Sequence, residues 1–383
     1  MLEKQDGQSY DPHKLVSACE KIAHGKARMA AYRSAAELAD AHEDTPFRIY
    51  FRVQLCEEST FYGDSLDMLV IFPEVLAIID RWPDTPSTCY KNNYKDSLGY
   101  VLWVYKWIIG SCDEFYQIPM ADCRKFYEDY KKRCLAYGYN LRTYHMYRYY
   151  FYDSMGRDKE AQDAFHAFEE LPRDRNSNCR ACERNTTIGF YLDQGDLKKA
   201  EELSQEIESF QLRCGHDRKA AWLRMKGQYM SHYLDKGDFR QAEIYCRMIE
   251  QNMIETREYQ DWDSFLYCYA HTDMGKALKI YKAHWKEWEE ERNPSSAYYQ
   301  SKNIMRFFKE LSAVRKGKTV KLALDASFPL YRESGRYKIT DLYQYYYRKA
   351  KDMAERFDAR NGTDSFCRWL EEAVNEREEN AAE

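Results

Sequence analysis

Glycine and proline are scarce in this chain of 383 residues, at 16 and 9. An all-β sandwich needs a turn about every ten residues, and that density of turn formers is missing. Long apolar runs are missing too. The longest, Met68 to Ile79, spans twelve residues and contains Pro73 and Glu74; the next, Val101 to Gly110, holds Lys106. A membrane span takes about 20 apolar residues, so both runs are expected as buried helices, and no membrane partner is expected. Nor is charge of one sign in excess: 58 Lys+Arg stand against 63 Asp+Glu, a formal net charge of −5. A dedicated nucleic-acid binder shows a basic excess, so nucleic acid is not the expected partner.

What is present is enough for a core. The chain is 44% hydrophobic and 32% charged, which excludes a disordered tail. Tyrosine (34) and cysteine (12) stand out. The cysteines are scattered, and Met1 to Gly7 show no apolar segment of a secretory signal. Reduced thiols and a cytoplasmic protein are therefore expected.

The dominant period is helical, and the turns between helices repeat. Gly156, Gly195, Gly237 and Gly275 stand 39, 42 and 38 residues apart. That spacing marks a helical solenoid. Each unit has a physical logic. A glycine closes the first helix in the left-handed conformation. An Asp after it caps the second helix. Ala161, Ala200 and Ala242, each five residues past its glycine, let the two helices approach closely. Neither helix buries its stripe alone, so neighbouring units must stack.

The segments FYLDQGDLKKAEEL (190–203) and HYLDKGDFRQAEIY (232–245) resemble the tetratricopeptide repeat (TPR). Tyr191, Gly195, Asp196 and Ala200, and again Tyr233, Gly237, Asp238 and Ala242, stand at its Tyr, Gly, Asp and Ala positions. AKDMAERFDARNGTDSF (350–366), together with the cysteine-rich segment around Cys179 to Cys214, resembles large bacterial TPR-like proteins of unassigned function. The resemblance implies an all-α, right-handed α-solenoid of helix pairs. Residues 1–45 are expected to form an N-terminal helical cap, 46–296 the repeat array, and 297–383 a C-terminal helical cap and tail.

One constellation carries metal chemistry. Cys179-Arg180-Ala181-Cys182 is followed 32 residues later by Cys214-Gly215-His216. The C-x-x-C spacing lets two thiolates reach one tetrahedral ion, and a third Cys with a His completes a Cys₃His set. Stacked repeats bring the two helix starts together, so Cys179, Cys182, Cys214 and His216 are candidate ligands of a structural Zn²⁺. Reduced thiols without metal are the alternative reading. A redox pair is a third, although redox C-x-x-C motifs sit at a strand-to-helix turn and no such strand is visible.

By the repeat register, Met146, Tyr150, Asn185, Arg224 and Ser231 are candidate residues of a concave peptide-binding groove. Tyr and Arg are enriched in binding hot spots. The aromatic run from Tyr144 to Tyr152 is expected as a helix buried on several sides. The cluster from Tyr343 to Lys349 could stack bases, but one cluster on an acidic chain is a weak signal. No phosphate loop, dinucleotide fingerprint, nucleophile elbow or zinc-protease motif is found, and the nine histidines are dispersed. The expectation is a non-enzymatic scaffold or adaptor for a protein or peptide. The alternative is a peptide-responsive bacterial regulator without a DNA-binding domain of its own.

Overall fold

The structure is a computed structural model that describes residues 10–63, 65–86, 97–215, 217–253 and 261–380, with side chains to residue 376. Among these residues are seventeen α-helices and two three-residue strands. The chain divides into two compact units, Met1–Ser177 and Asn178–Glu383. The boundaries expected after residues 45 and 296 fall inside helices.

The first unit holds α1 (Pro12–Lys21), α2 (Lys26–Ala41), α3 (Thr45–Tyr62), α4 (Ser65–Arg81), α5 (Ser97–Ser111), α6 (Met120–Tyr137), α7 (Arg142–Asp153) and α8 (Asp158–Glu170). Asp11 opens α1 by accepting from the backbone N–H groups of His13 and Lys14, each at 3.1 Å. The two apolar runs form α4 and α5. Among the described residues no helix is long and apolar enough to cross a membrane. The tyrosine-rich run forms α7. Its Tyr144, Met146, Tyr147, Tyr149 and Phe151 are buried, and the Tyr147 carbonyl accepts from the Tyr127 hydroxyl at 3.0 Å.

The second unit holds α9 (Arg180–Asp193), α10 (Leu197–Glu208), α11 (Ala220–Asp235), α12 (Phe239–Met253), α13 (Trp262–Thr272), α14 (Met274–Glu289), α15 (Pro294–Val314), β1 (Thr319–Lys321), β2 (Arg336–Lys338), α16 (Ile339–Asn361) and α17 (Ser365–Asn380). Consecutive helices pack in pairs, α9 packs on α11, and α13 packs on α15. The turn chemistry explains the pairing. Gly195 and Gly237 take φ of 74° and 70°, where a Cβ would be strained. Asp196 and Asp238 then accept from the N–H groups of Lys199 and Gln241, each at 3.0 Å. Ala200 and Ala242 are fully buried at the pair contacts. One turn differs from expectation: Gly275 lies inside the first turn of α14, and Asp273 caps that helix by accepting from Lys276 N–H at 3.0 Å.

The core between α9, α10 and α11 is built from Ala181, Ile188, Leu192, Ala200, Ile207, Ala221, Met225 and Tyr229. The irregular stretch after α15 contains a small antiparallel ladder that pairs Val320 with Tyr337, both buried. The second tyrosine cluster belongs to packing. Tyr346 is fully buried with its hydroxyl 3.1 Å from that of Tyr281, and Tyr345 donates to Glu289 at 2.7 Å. Trp285 and Trp288 are likewise buried.

Candidate metal centre

Cys179 is the residue that caps α9. Its Sγ accepts from the backbone N–H of Cys182 at 3.3 Å, so the C-x-x-C spacing folds both sulfurs onto one helix start. The third thiol arrives from the connection between α10 and α11. That connection leaves α10 through Phe210, held at φ 55°, and is tied back by Leu212 N–H donating to the Glu206 carbonyl at 2.8 Å. The Phe210 ring stacks on Trp222 of α11 at 6.5 Å between centroids. Asp217 then turns the chain into α11 by accepting from Lys219 N–H at 2.7 Å.

The result is a cluster. The Sγ atoms of Cys179, Cys182 and Cys214 all lie within 4.8 Å of one another, and each residue is half-buried. Cys179 Sγ and Cys182 Sγ are 3.1 Å apart. Thiolates around one ion sit about 2.3 Å from it, so three sulfurs this close can share a metal with small adjustments. His216 lies outside the described residues. As thiols, Cys182 is held far above its ordinary range by hydrogen bonding with Cys179, then with Cys214, and by burial, while the Arg224 charge opposes the shift. At Cys179 the contact with Cys182 lowers the value, but Cys214 and burial together leave it raised. Protonated thiols crowd one another here; a divalent cation would displace their protons and offset the negative charge left on the sulfurs.

The remaining described cysteines are different. Cys19, Cys56, Cys112, Cys123, Cys134, Cys246 and Cys268 are buried in the two cores. Cys367 is half-buried near the start of α17 and Cys89 lies outside the described residues.

The groove residues fall in both units. In the first, Met146 is fully buried in α7, whereas Tyr150 is 39% exposed. In the second, Asn185 is also enclosed: its Nδ2 donates to the Ala221 carbonyl at 2.8 Å and so ties α9 to α11. Met146 and Asn185 therefore serve packing and are not accessible to a partner. Arg224 and Ser231 are exposed on α11. Arg224 Nη1 points at Cys182 Sγ, 3.7 Å away.

Sequence reasoning missed a second polar group, assembled from four helices of the second unit. Tyr267 of α13 donates to Glu376 of α17 at 2.6 Å. Arg306 of α15 lies 3.3 Å from the same carboxylate and 4.5 Å over the Tyr267 ring. One turn earlier, Lys302 Nζ sits 5.0 Å over Tyr299 and 5.6 Å over Tyr298. It makes no hydrogen bond or ion pair with a described residue. Burial, and then repulsion from Arg306, push its amine down to about 8. Asp235, at the end of α11, feels both cations electrostatically. The available signal was Lys302 and Arg306, four residues apart in a helix otherwise rich in buried apolar residues.

The fold and this site define an all-helical protein with a surface cluster of three thiols. Comparison with known proteins yields no matching family model, no matching curated protein and no matching solved structure.

Proposed function

We propose that the protein is a non-enzymatic TPR-like scaffold, a right-handed α-solenoid of the cytoplasm that captures a protein or peptide segment. On this reading the partner lies along the face of α11, α13 and α15 that carries Arg224 and Ser231 at one end and Asp235, Lys302 and Arg306 at the other. Cys179, Cys182 and Cys214 hold a structural Zn²⁺, with His216 as the fourth ligand. The ion staples the start of α9 to the chain entering α11 and so fixes the spacing of two neighbouring repeats. A closed set of four protein ligands leaves no position for a reacting water, which is why the role is structural.

The observation that supports the binding reading is Lys302. Asp235, Glu376 and Glu372 attract its ammonium, but burial outweighs them and no described group bonds it. An acidic group of a partner in direct contact would relieve that cost. Capture from a lysate of the native host, followed by mass spectrometry, tests it. A partner should be retained by the native chain and reduced about tenfold or more by Lys302→Glu. Equal recovery by both moves the interface elsewhere. The metal reading has its own check: protein purified in reductant without added zinc should carry close to one equivalent. Less than about 0.2 equivalents overturns it.

A further inference from the structure

Arg224 stands where a partner contact was expected, yet its guanidinium points at a sulfur. It lies in the first turn and a half of α11 with Nη1 3.7 Å from Cys182 Sγ. Three thiolates and one divalent ion carry a single net negative charge, and a neutral fourth ligand leaves that charge unchanged. One guanidinium cancels it. We propose that Arg224 is the charge partner of the metal–thiolate centre, matching it to a divalent ion with three thiolates and a neutral fourth ligand. This deepens, and rests on, the zinc reading of the same site.

The charge balance discriminates among occupants. A monovalent soft ion on three thiolates would leave two negative charges facing one guanidinium. A fourth thiolate on a divalent ion would do the same. Of these three sets, the divalent, three-thiolate one leaves the single negative charge that one guanidinium matches, and the borderline-soft divalent ions prefer such ligands. Arg224 does not itself ligate. It acts through Cys182 and is a positioning residue, of the kind whose loss typically weakens a metal site about tenfold or more.

Co²⁺ is the probe, because its thiolate charge-transfer absorption counts the sulfurs bound. The full chain, reduced and at fixed pH, is titrated with Co²⁺ in competition with a chelator of known affinity. Arg224→Gln should weaken Co²⁺ binding about tenfold. Arg224→Glu should weaken it further, and Arg224→Lys should stay within about threefold of the native chain because the charge is kept. The three-thiolate absorption per bound ion and the unfolding midpoint of the metal-free protein should not change in any of them. Native affinity in both Arg224→Gln and Arg224→Glu overturns the role of Arg224 and leaves the zinc reading standing. Equal weakening in Arg224→Lys overturns the charge argument. A native chain that binds no Co²⁺ overturns the zinc reading and this inference together.

Discussion

The helix α11 has two faces that handle the same side-chain chemistry in opposite ways. Toward α10 and α12, polar groups meet partners within the fold. Lys226 Nζ reaches Glu208 at 2.6 Å and lies over the rings of Trp222 and Tyr245. The Tyr229 and Ser204 hydroxyls meet at 3.0 Å. Cys246 of α12 is fully buried with its sulfur 3.3 Å from that of Met230. The other face leads to three half-buried thiols beside Arg224 and, farther along, to Lys302, which burial pushes below its ordinary range. The helix pairs need the first face to hold together. The second adds nothing obvious to packing, and that is where a ligand would make a difference.

The largest expected effect sharpens the contrast between the two sulfur settings. If the surface thiols hold zinc, a strong chelator should lower the stability of the native chain by several kcal/mol, since metal affinity is folding free energy in such sites. Cys182→Ser should match the chelated native chain and respond little to chelator. Cys246→Ser should behave in the opposite way. It buries a hydroxyl among apolar groups at a cost of about 1–3 kcal/mol, but keeps its metal and its full response to chelator. Chemical denaturation with and without chelator reads both. An equal chelator response in native chain and Cys182→Ser would break the contrast.

How far this was legible beforehand depends on the range of the signal. The glycine–aspartate turns at 195–196 and 237–238 were readable because the left-handed glycine and the aspartate cap act within a few residues of chain. Cys179 and Cys182 were readable for the same reason, and Cys214 followed from setting the starts of neighbouring helices side by side. The hairpin of β1 and β2 was not, because two three-residue strands carry no period worth counting. Gly275 misled because glycine marks a turn only where the backbone needs positive φ; here α13 ends at Asp273 with negative φ, and the Asp273 side chain caps α14 directly. Met146 and Asn185 misled because register assigns a direction along a helix, whereas burial depends on how closely neighbours approach. The Lys302 group joins Asp235, Tyr267, Arg306 and Glu376 across more than a hundred residues; the spacing of Lys302 and Arg306 marks one helix of it, and no local pattern announces the other three.

The two lysines offer the finest test, because one substitution should act with opposite signs. Lys302 drops from its ordinary 10.5 to about 8 in the folded chain. Below about pH 8 the amine is charged in both folded and unfolded states, and the folded state bears the full cost of burying it. Between about pH 8 and 10.5 the unfolded chain still holds the proton that the folded chain has released, so stability rises with pH. Lys302→Met should therefore stabilise the protein by about 2 kcal/mol at pH 7, allowing for partial solvent screening, with the advantage shrinking toward pH 10. Lys226→Met removes an ion pair to the half-exposed Glu208 and should cost about 1 kcal/mol or less. Urea unfolding of both variants at pH 7 and pH 10 measures this. Lys302→Met destabilising at pH 7 would mean that Lys302 is already satisfied within the fold, and the case for an acidic partner at that position would lapse. A gain at pH 7 that vanishes by pH 10 would mean that the chain accepts a less stable fold in order to keep a cation available on that face.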